Sequence, residues 1–210
     1  MQPKRLEFVV TRQCSGRCPI CTDTGSQGGT AKLDATLAAR VLEDITSRYP
    51  PDTVVTLGGE PLLYADTVCS IQREAARLNV SCRRLITNGY FSKSPERIAQ
   101  VAQNLVEAGL TQILLTVDTF HQTEIPLETV RLFAEALLDA GFYDLQLHPA
   151  WYLSPEDDNS QNRETRRLLD TFADTGIEVG EGYAVNHPST TGIDAAEAEE
   201  CDTSGTDGCG

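Results

Sequence analysis

Three cysteines stand close together in Cys14-Ser-Gly-Arg-Cys18-Pro-Ile-Cys21. The spacing is Cys, three residues, Cys, two residues, Cys, and Gly16 eases the turn. Three thiolates this close can wrap one face of a compact metal cluster. Soft thiolate ligands select iron–sulfur clusters, zinc or copper(I). Structural zinc usually takes four protein ligands, commonly as two paired knuckles, and here only three are local with no His nearby. A [4Fe–4S] cluster can take four Cys; with three, one iron keeps an open site where a small molecule can bind. A zinc loop completed by a distant Cys or His is the alternative.

Three further segments carry polar groups of the right kind. Leu57-Gly58-Gly59-Glu60-Pro61 places two glycines where backbone can approach a ligand without an intervening Cβ. Read alone, it is a tight strand-to-helix turn. Ile86-Thr87-Asn88-Gly89 and Thr116-Val117-Asp118 each end an apolar run in polar side chains. Asp118-Thr-Phe120-His121-Gln122 adds an imidazole able to orient a substrate or move a proton near neutral pH.

The elements that must position these groups are legible as an alternation. Strands are expected at Leu6–Thr11, Thr53–Leu57, Arg84–Thr87, Gln112–Val117, Asp144–His148 and Ile177–Val179. Amphipathic helices are expected at Asp34–Arg48, Asp66–Leu78, Pro95–Ala108, Leu127–Ala140 and Asn162–Thr175. After the first unit the repeat is roughly 30 residues, the length of a βαβ unit. Runs such as Ile113-Leu-Leu-Thr-Val read as strands buried on both faces, as in a parallel sheet. Ala108-Gly109-Leu110, Ala140-Gly141-Phe142 and Thr175-Gly176-Ile177 repeat one helix-to-strand junction. The fold class is α/β, with a six-unit partial barrel and a doubly wound sheet both open. Chemistry in a barrel would sit at the C-terminal strand ends, where each of these segments falls.

Composition bounds the function. The chain has 210 residues and a formal net charge of −14, which argues against a nucleic-acid phosphate-backbone binder and against docking on an anionic membrane. No apolar run approaches the roughly 18 residues of a membrane span. The N-terminus has no apolar signal core, so the expected compartment is cytoplasmic. Residues 189–210 are Gly, Ser, Thr, Ala, Asp and Glu with little apolar content, and are expected to form a flexible acidic tail carrying Cys201 and Cys209 after a core domain spanning 1–188. Cys69 and Cys82 read as small buried hydrophobes.

The cysteine loop directly after the first strand, followed by Gly58-Gly59-Glu60-Pro61 after the second, resembles the radical S-adenosylmethionine (radical SAM) enzymes. The resemblance extends to about Asn186 and implies a partial (β/α)6 barrel. It implies that Cys14, Cys18 and Cys21 hold three irons of a [4Fe–4S] cluster whose fourth iron binds S-adenosylmethionine. It also implies reductive cleavage to a 5′-deoxyadenosyl radical that abstracts hydrogen from a substrate, a peptide or protein side chain being expected first and a small metabolite second. A reduced donor of ferredoxin or flavodoxin type would supply the electron. Gly58, Gly59, Glu60, Asn88, Thr116 and Asp118 are the expected contacts to S-adenosylmethionine. His121 and Asp118 are the expected catalytic pair, and the aromatics of His148-Pro-Ala-Trp151-Tyr152 the expected cavity wall or core. The aromatic that the family usually carries before its third cysteine is Ile20 here. A non-catalytic iron–sulfur relay or metal-binding module is the competing function.

Overall fold

A computed structural model describes residues 4–21 and 31–186. Six parallel strands form one sheet in chain order: β1 (Arg5–Val9), β2 (Thr53–Leu57), β3 (Cys82–Thr87), β4 (Gln112–Leu115), β5 (Leu145–Leu147) and β7 (Glu178–Val179). Five helices cross between them: α1 (Ala35–Arg48), α2 (Ala65–Arg77), α3 (Pro95–Glu107), α4 (Leu127–Asp139) and α5 (Ser160–Asp170). Sequential strands pair without exception along the sheet. The order is that of an open barrel, because a doubly wound sheet reverses its strand order part-way. Val9 and Val179, on the two edge strands, are 49% and 50% exposed, so the barrel is partial.

The period of two sorts the strand residues into two faces. Leu85, Ile113, Leu115, Leu145 and Leu147 pack under the helices in one core that also takes Ile98, Val101, Leu105, Phe133 and Leu137. Ile86, Leu114, Gln146 and Glu178 are register neighbours on the opposite, concave face. The same alternation continued past the strand ends brings Asn88, Thr116 and His148 to the mouth. Local chemistry fixes the helix starts. Asp34 and Ser94 cap α1 and α3 by accepting from the amides of Leu37 and Arg97, and Pro95 occupies the first turn of α3.

The expected helices and strands are all present, with ends shifted by a few residues. The fifth helix ends at Asp170, and turns carry the chain from there to Gly176. Thr11 lies beyond β1 in an isolated antiparallel bridge to Lys32. Two elements were not foreseen: β6 (Ala150–Tyr152) and β8 (Tyr183–Val185) form a second, parallel two-stranded sheet. Three-residue strands give too few alternations to register as a pattern. Trp151 on β6 is core, 6% exposed, with its indole N–H donating to the Glu181 carbonyl at 2.8 Å. Cys69 and Cys82 are likewise buried. His187, Cys201, Cys209 and the expected acidic tail lie outside the described residues.

Candidate functional site

The loop after β1 is sewn onto the turn after β2. The amides of Gly59 and Glu60 donate to the carbonyls of Thr11 and Gln13, each at 2.8 Å. Gly58 sits at φ +151°, and a Cβ on it would fall 2.3 Å from the Thr11 carbonyl oxygen. A Cβ on Gly59 would fall 2.3 Å from the Gln13 carbonyl oxygen. Glycine is therefore required at both positions for the two loops to meet. Tyr64 donates its hydroxyl to Gln13 Oε1 at 3.0 Å and adds a side-chain clasp.

Cys14, Cys18 and Cys21 follow this junction, with Cys18 buried and the other two half-buried. They lie near enough to influence one another's ionisation. Burial, then the charges of Cys14, Asp118 and Cys21, push the Cys18 thiol up to about 12. Burial also raises Cys14, while backbone hydrogen bonds from Gly16 and Ser15 pull it back. Among the described residues no three His, Cys, Asp or Glu side chains gather around a point suited to one metal ion. The donor set is instead three thiols spread along one loop.

Glu60 was expected to contact a cofactor, and its side chain is committed elsewhere. It is fully buried, with Oε1 accepting from the Leu62 amide at 2.8 Å and Oε2 from the Asn88 amide at 2.9 Å. The Thr87 hydroxyl bridges both oxygens at 2.8 and 2.9 Å. The carboxyl thus ties the end of β2 to the end of β3. Burial pushes its pKa up to about 7 against the pull of these donors.

Asn88 faces the cysteine loop. Its carboxamide faces Cys14 Sγ at 3.5 Å and Ser15 Oγ at 3.3 Å, while Oδ1 accepts from the Tyr90 amide at 2.8 Å. Thr116 differs: it is 6% exposed, and its hydroxyl is a buried polar atom with no partner among the described residues. An orphaned hydroxyl of this kind implies a missing ligand or water.

Asp118 is fully buried and its carboxylate accepts four hydrogen bonds. Oδ1 takes the amides of Phe120 and His121 at 2.9 Å each; Oδ2 takes the Ala150 amide at 3.0 Å and His121 Nδ1 at 2.7 Å. These bonds leave no lone pair for a direct cofactor contact and fix the tautomer. Nδ1 must donate to the carboxylate, so Nε2 is the ring nitrogen left free. The segment also braces the cysteine loop: Cys18 Sγ lies 4.0 Å from the His121 carbonyl oxygen. Ile20 packs with Phe120 and Ala150 in a small apolar cluster that Tyr152, Tyr183 and Val185 extend. The unforeseen second sheet therefore supports the cysteine loop from the side.

His148 was not singled out as a site residue beyond its possible place in a cavity wall. It stacks on Tyr183 with ring centroids 5.6 Å apart. Burial and then the Arg84 charge lower its pKa to about 4, so the ring is neutral at neutral pH. Its place at the end of the fifth strand was the available signal.

The radical SAM superfamily model matches residues 8–145. The chain belongs to the radical SAM superfamily. It is 28% identical over 157 residues to a GTP 3′,8-cyclase of Acidothermus cellulolyticus, covering 68% of this chain and 42% of that protein. It is 28% identical over 113 residues to a pre-heme d1 synthase of Dinoroseobacter shibae, covering 53% of this chain and 28% of that one. The crystal structure of HydG, a maturase of the [FeFe]-hydrogenase, shares the fold at a TM-score of 0.55 and 13% identity, over 82% of this chain and 40% of HydG. The chain thus spans well under half the length of these relatives. No helix among the described residues is long and apolar enough to cross a membrane.

Proposed function

We propose that this radical SAM chain is an enzyme that uses a [4Fe–4S] cluster and S-adenosylmethionine to abstract hydrogen from a substrate, within a core domain spanning 1–188 and in the cytoplasm. The observation that carries this is one junction: the three-cysteine loop held against Gly58 and Gly59 at the mouth of a partial barrel. The residues present fit the group. Cys14, Cys18 and Cys21 would hold three irons, and the orphaned Thr116 hydroxyl, just past the end of β4, offers an unspent polar contact. When bound, the cluster and S-adenosylmethionine supply the 5′-deoxyadenosyl radical.

The chain's own residues do the rest. Gly58 and Gly59, packed against the backbone of Thr11 and Gln13, would offer backbone groups to the methionine end of S-adenosylmethionine. The Thr116 hydroxyl would hydrogen-bond the same cofactor. Glu60 and Asp118 act as positioning groups: the first locks two strand ends together, and the second holds His121 with Nε2 free. His121 Nε2 accepts or returns a proton at the substrate. Ile20, Phe120 and the β6–β8 sheet keep water from one side of the site. An external donor of ferredoxin or flavodoxin type delivers the electron, and the substrate is a peptide or protein side chain.

Anaerobic reconstitution tests the reading. Close to four irons and four sulfides per chain are expected, with a reduced-cluster electron paramagnetic resonance (EPR) signal that changes when S-adenosylmethionine is added. A cluster whose signal ignores S-adenosylmethionine would favour the electron-relay alternative.

A further inference from the structure

Asn88 sits at the end of β3, where its side chain meets the loop of the cysteines. The Tyr90 amide lies 2.8 Å from Oδ1. An amide N–H needs an acceptor, so this bond fixes which way the carboxamide is flipped. Its NH2 must then face the cysteine loop, with Nδ2 at 3.5 Å from Cys14 Sγ and 3.3 Å from Ser15 Oγ. Asn88 is 6% exposed, so water competes little for these bonds. Cys18 differs: its Sγ lies 4.0 Å from the His121 carbonyl oxygen, an acceptor. Among the described residues, the sulfur of Cys14 therefore faces a side-chain N–H donor and that of Cys18 a carbonyl acceptor.

From this asymmetry we infer that Asn88 is a positioning residue that donates an N–H to the Cys14 thiolate and makes the bound cluster easier to reduce. The inference rests on the cluster reading above and deepens it. An added electron places part of its charge on the sulfur ligands. A donor aimed at one of them stabilises the reduced form more than the oxidised one, which raises the reduction potential. Asn88 thus acts on the cluster through Cys14, and the electron donor meets a lower thermodynamic barrier.

The test compares wild type, Asn88→Asp and Asn88→Ala after anaerobic reconstitution, by redox titration followed by EPR without substrate. Asn88→Asp keeps an acceptor for the Tyr90 amide and removes the donor to sulfur. Asn88→Ala removes the donor without adding charge. Both midpoints are expected below wild type at equal iron content, with Asn88→Asp the lower of the two. An Asn88→Ala midpoint equal to wild type would overturn the inference and leave the cluster reading intact. Variants that fold normally yet hold no cluster would overturn it as well, since the amide would then serve assembly. A wild-type chain that binds no cluster would overturn both.

Discussion

Gly59→Ala probes the junction on which the site is built. An alanine Cβ there would meet Gln13 O at 2.3 Å, Gln13 C at 2.6 Å and Arg12 O at 2.8 Å. All three are backbone atoms, so no side chain can swing aside. Ordinary contact requires the loop to retreat by roughly 1 Å, enough to forfeit much of the local packing. The retreat stretches the amide bonds from Gly59 to Thr11 and from Glu60 to Gln13, now 2.8 Å each. Overpacking costs about 1–3 kcal/mol, and two weakened hydrogen bonds add about 1 kcal/mol. A loss of about 3 kcal/mol lowers Tm by roughly 6–12 °C in a chain of this size. Gly141→Ala is the internal control, since Gly141 has φ +85° with nothing within 4 Å of an added Cβ. It should carry only left-handed strain of about 1 kcal/mol. Thermal melts of the apo chain under reducing conditions measure both. A Gly59→Ala variant that melts with wild type, or a Gly141→Ala variant that falls as far, refutes the argument.

Other substitutions divide the site by role. Cys14→Ala, Cys18→Ala and Cys21→Ala should each abolish iron retention, read by iron and sulfide analysis. Thr116→Val should leave the apo chain as stable as wild type or about 1 kcal/mol better, because it removes an orphaned hydroxyl. The same change should weaken S-adenosylmethionine binding about fivefold, measured by equilibrium dialysis of the reconstituted protein. Asp118→Asn sets an NH2 group against incoming N–H donors and should cost about 1–3 kcal/mol in urea melts. Burial, and then the Arg84 charge, lower His148 in the folded chain to about 4, below the ordinary imidazole value of 6.5. The unfolded chain then binds more protons in that window, so stability is full above pH 6.5 and is lost as pH falls toward 4. His148→Gln should remove up to about 3 kcal/mol of that acid-limb dependence, seen by comparing melts at pH 7 and pH 4.5.

Much of this architecture was legible because it repeats. Three Gly-apolar junctions and near-continuous apolar strands mark parallel βα units, and both signals are local. Cys14, Cys18 and Cys21 were legible for the same reason, since their spacing is written in one loop. The roles of Glu60, Asn88 and Asp118 were not, because they depend on partners far away in sequence. Glu60 is held by Thr87 and Asn88, Asn88 by Cys14, and Asp118 by Ala150. A polar residue at a strand end looks the same whether it faces a ligand or ties two loops together. The β6–β8 sheet was hidden for another reason: three residues are too few to show a period. His148 became visible as a site residue only when Tyr183 and Asp118 were brought beside it.

The central claim is most directly tested by one anaerobic assay. The reconstituted chain is mixed with dithionite and S-adenosylmethionine, and 5′-deoxyadenosine is quantified by mass spectrometry beside a Cys18→Ala control. The account predicts 5′-deoxyadenosine from wild type and none from Cys18→Ala. An intact cluster that yields no 5′-deoxyadenosine would contradict it.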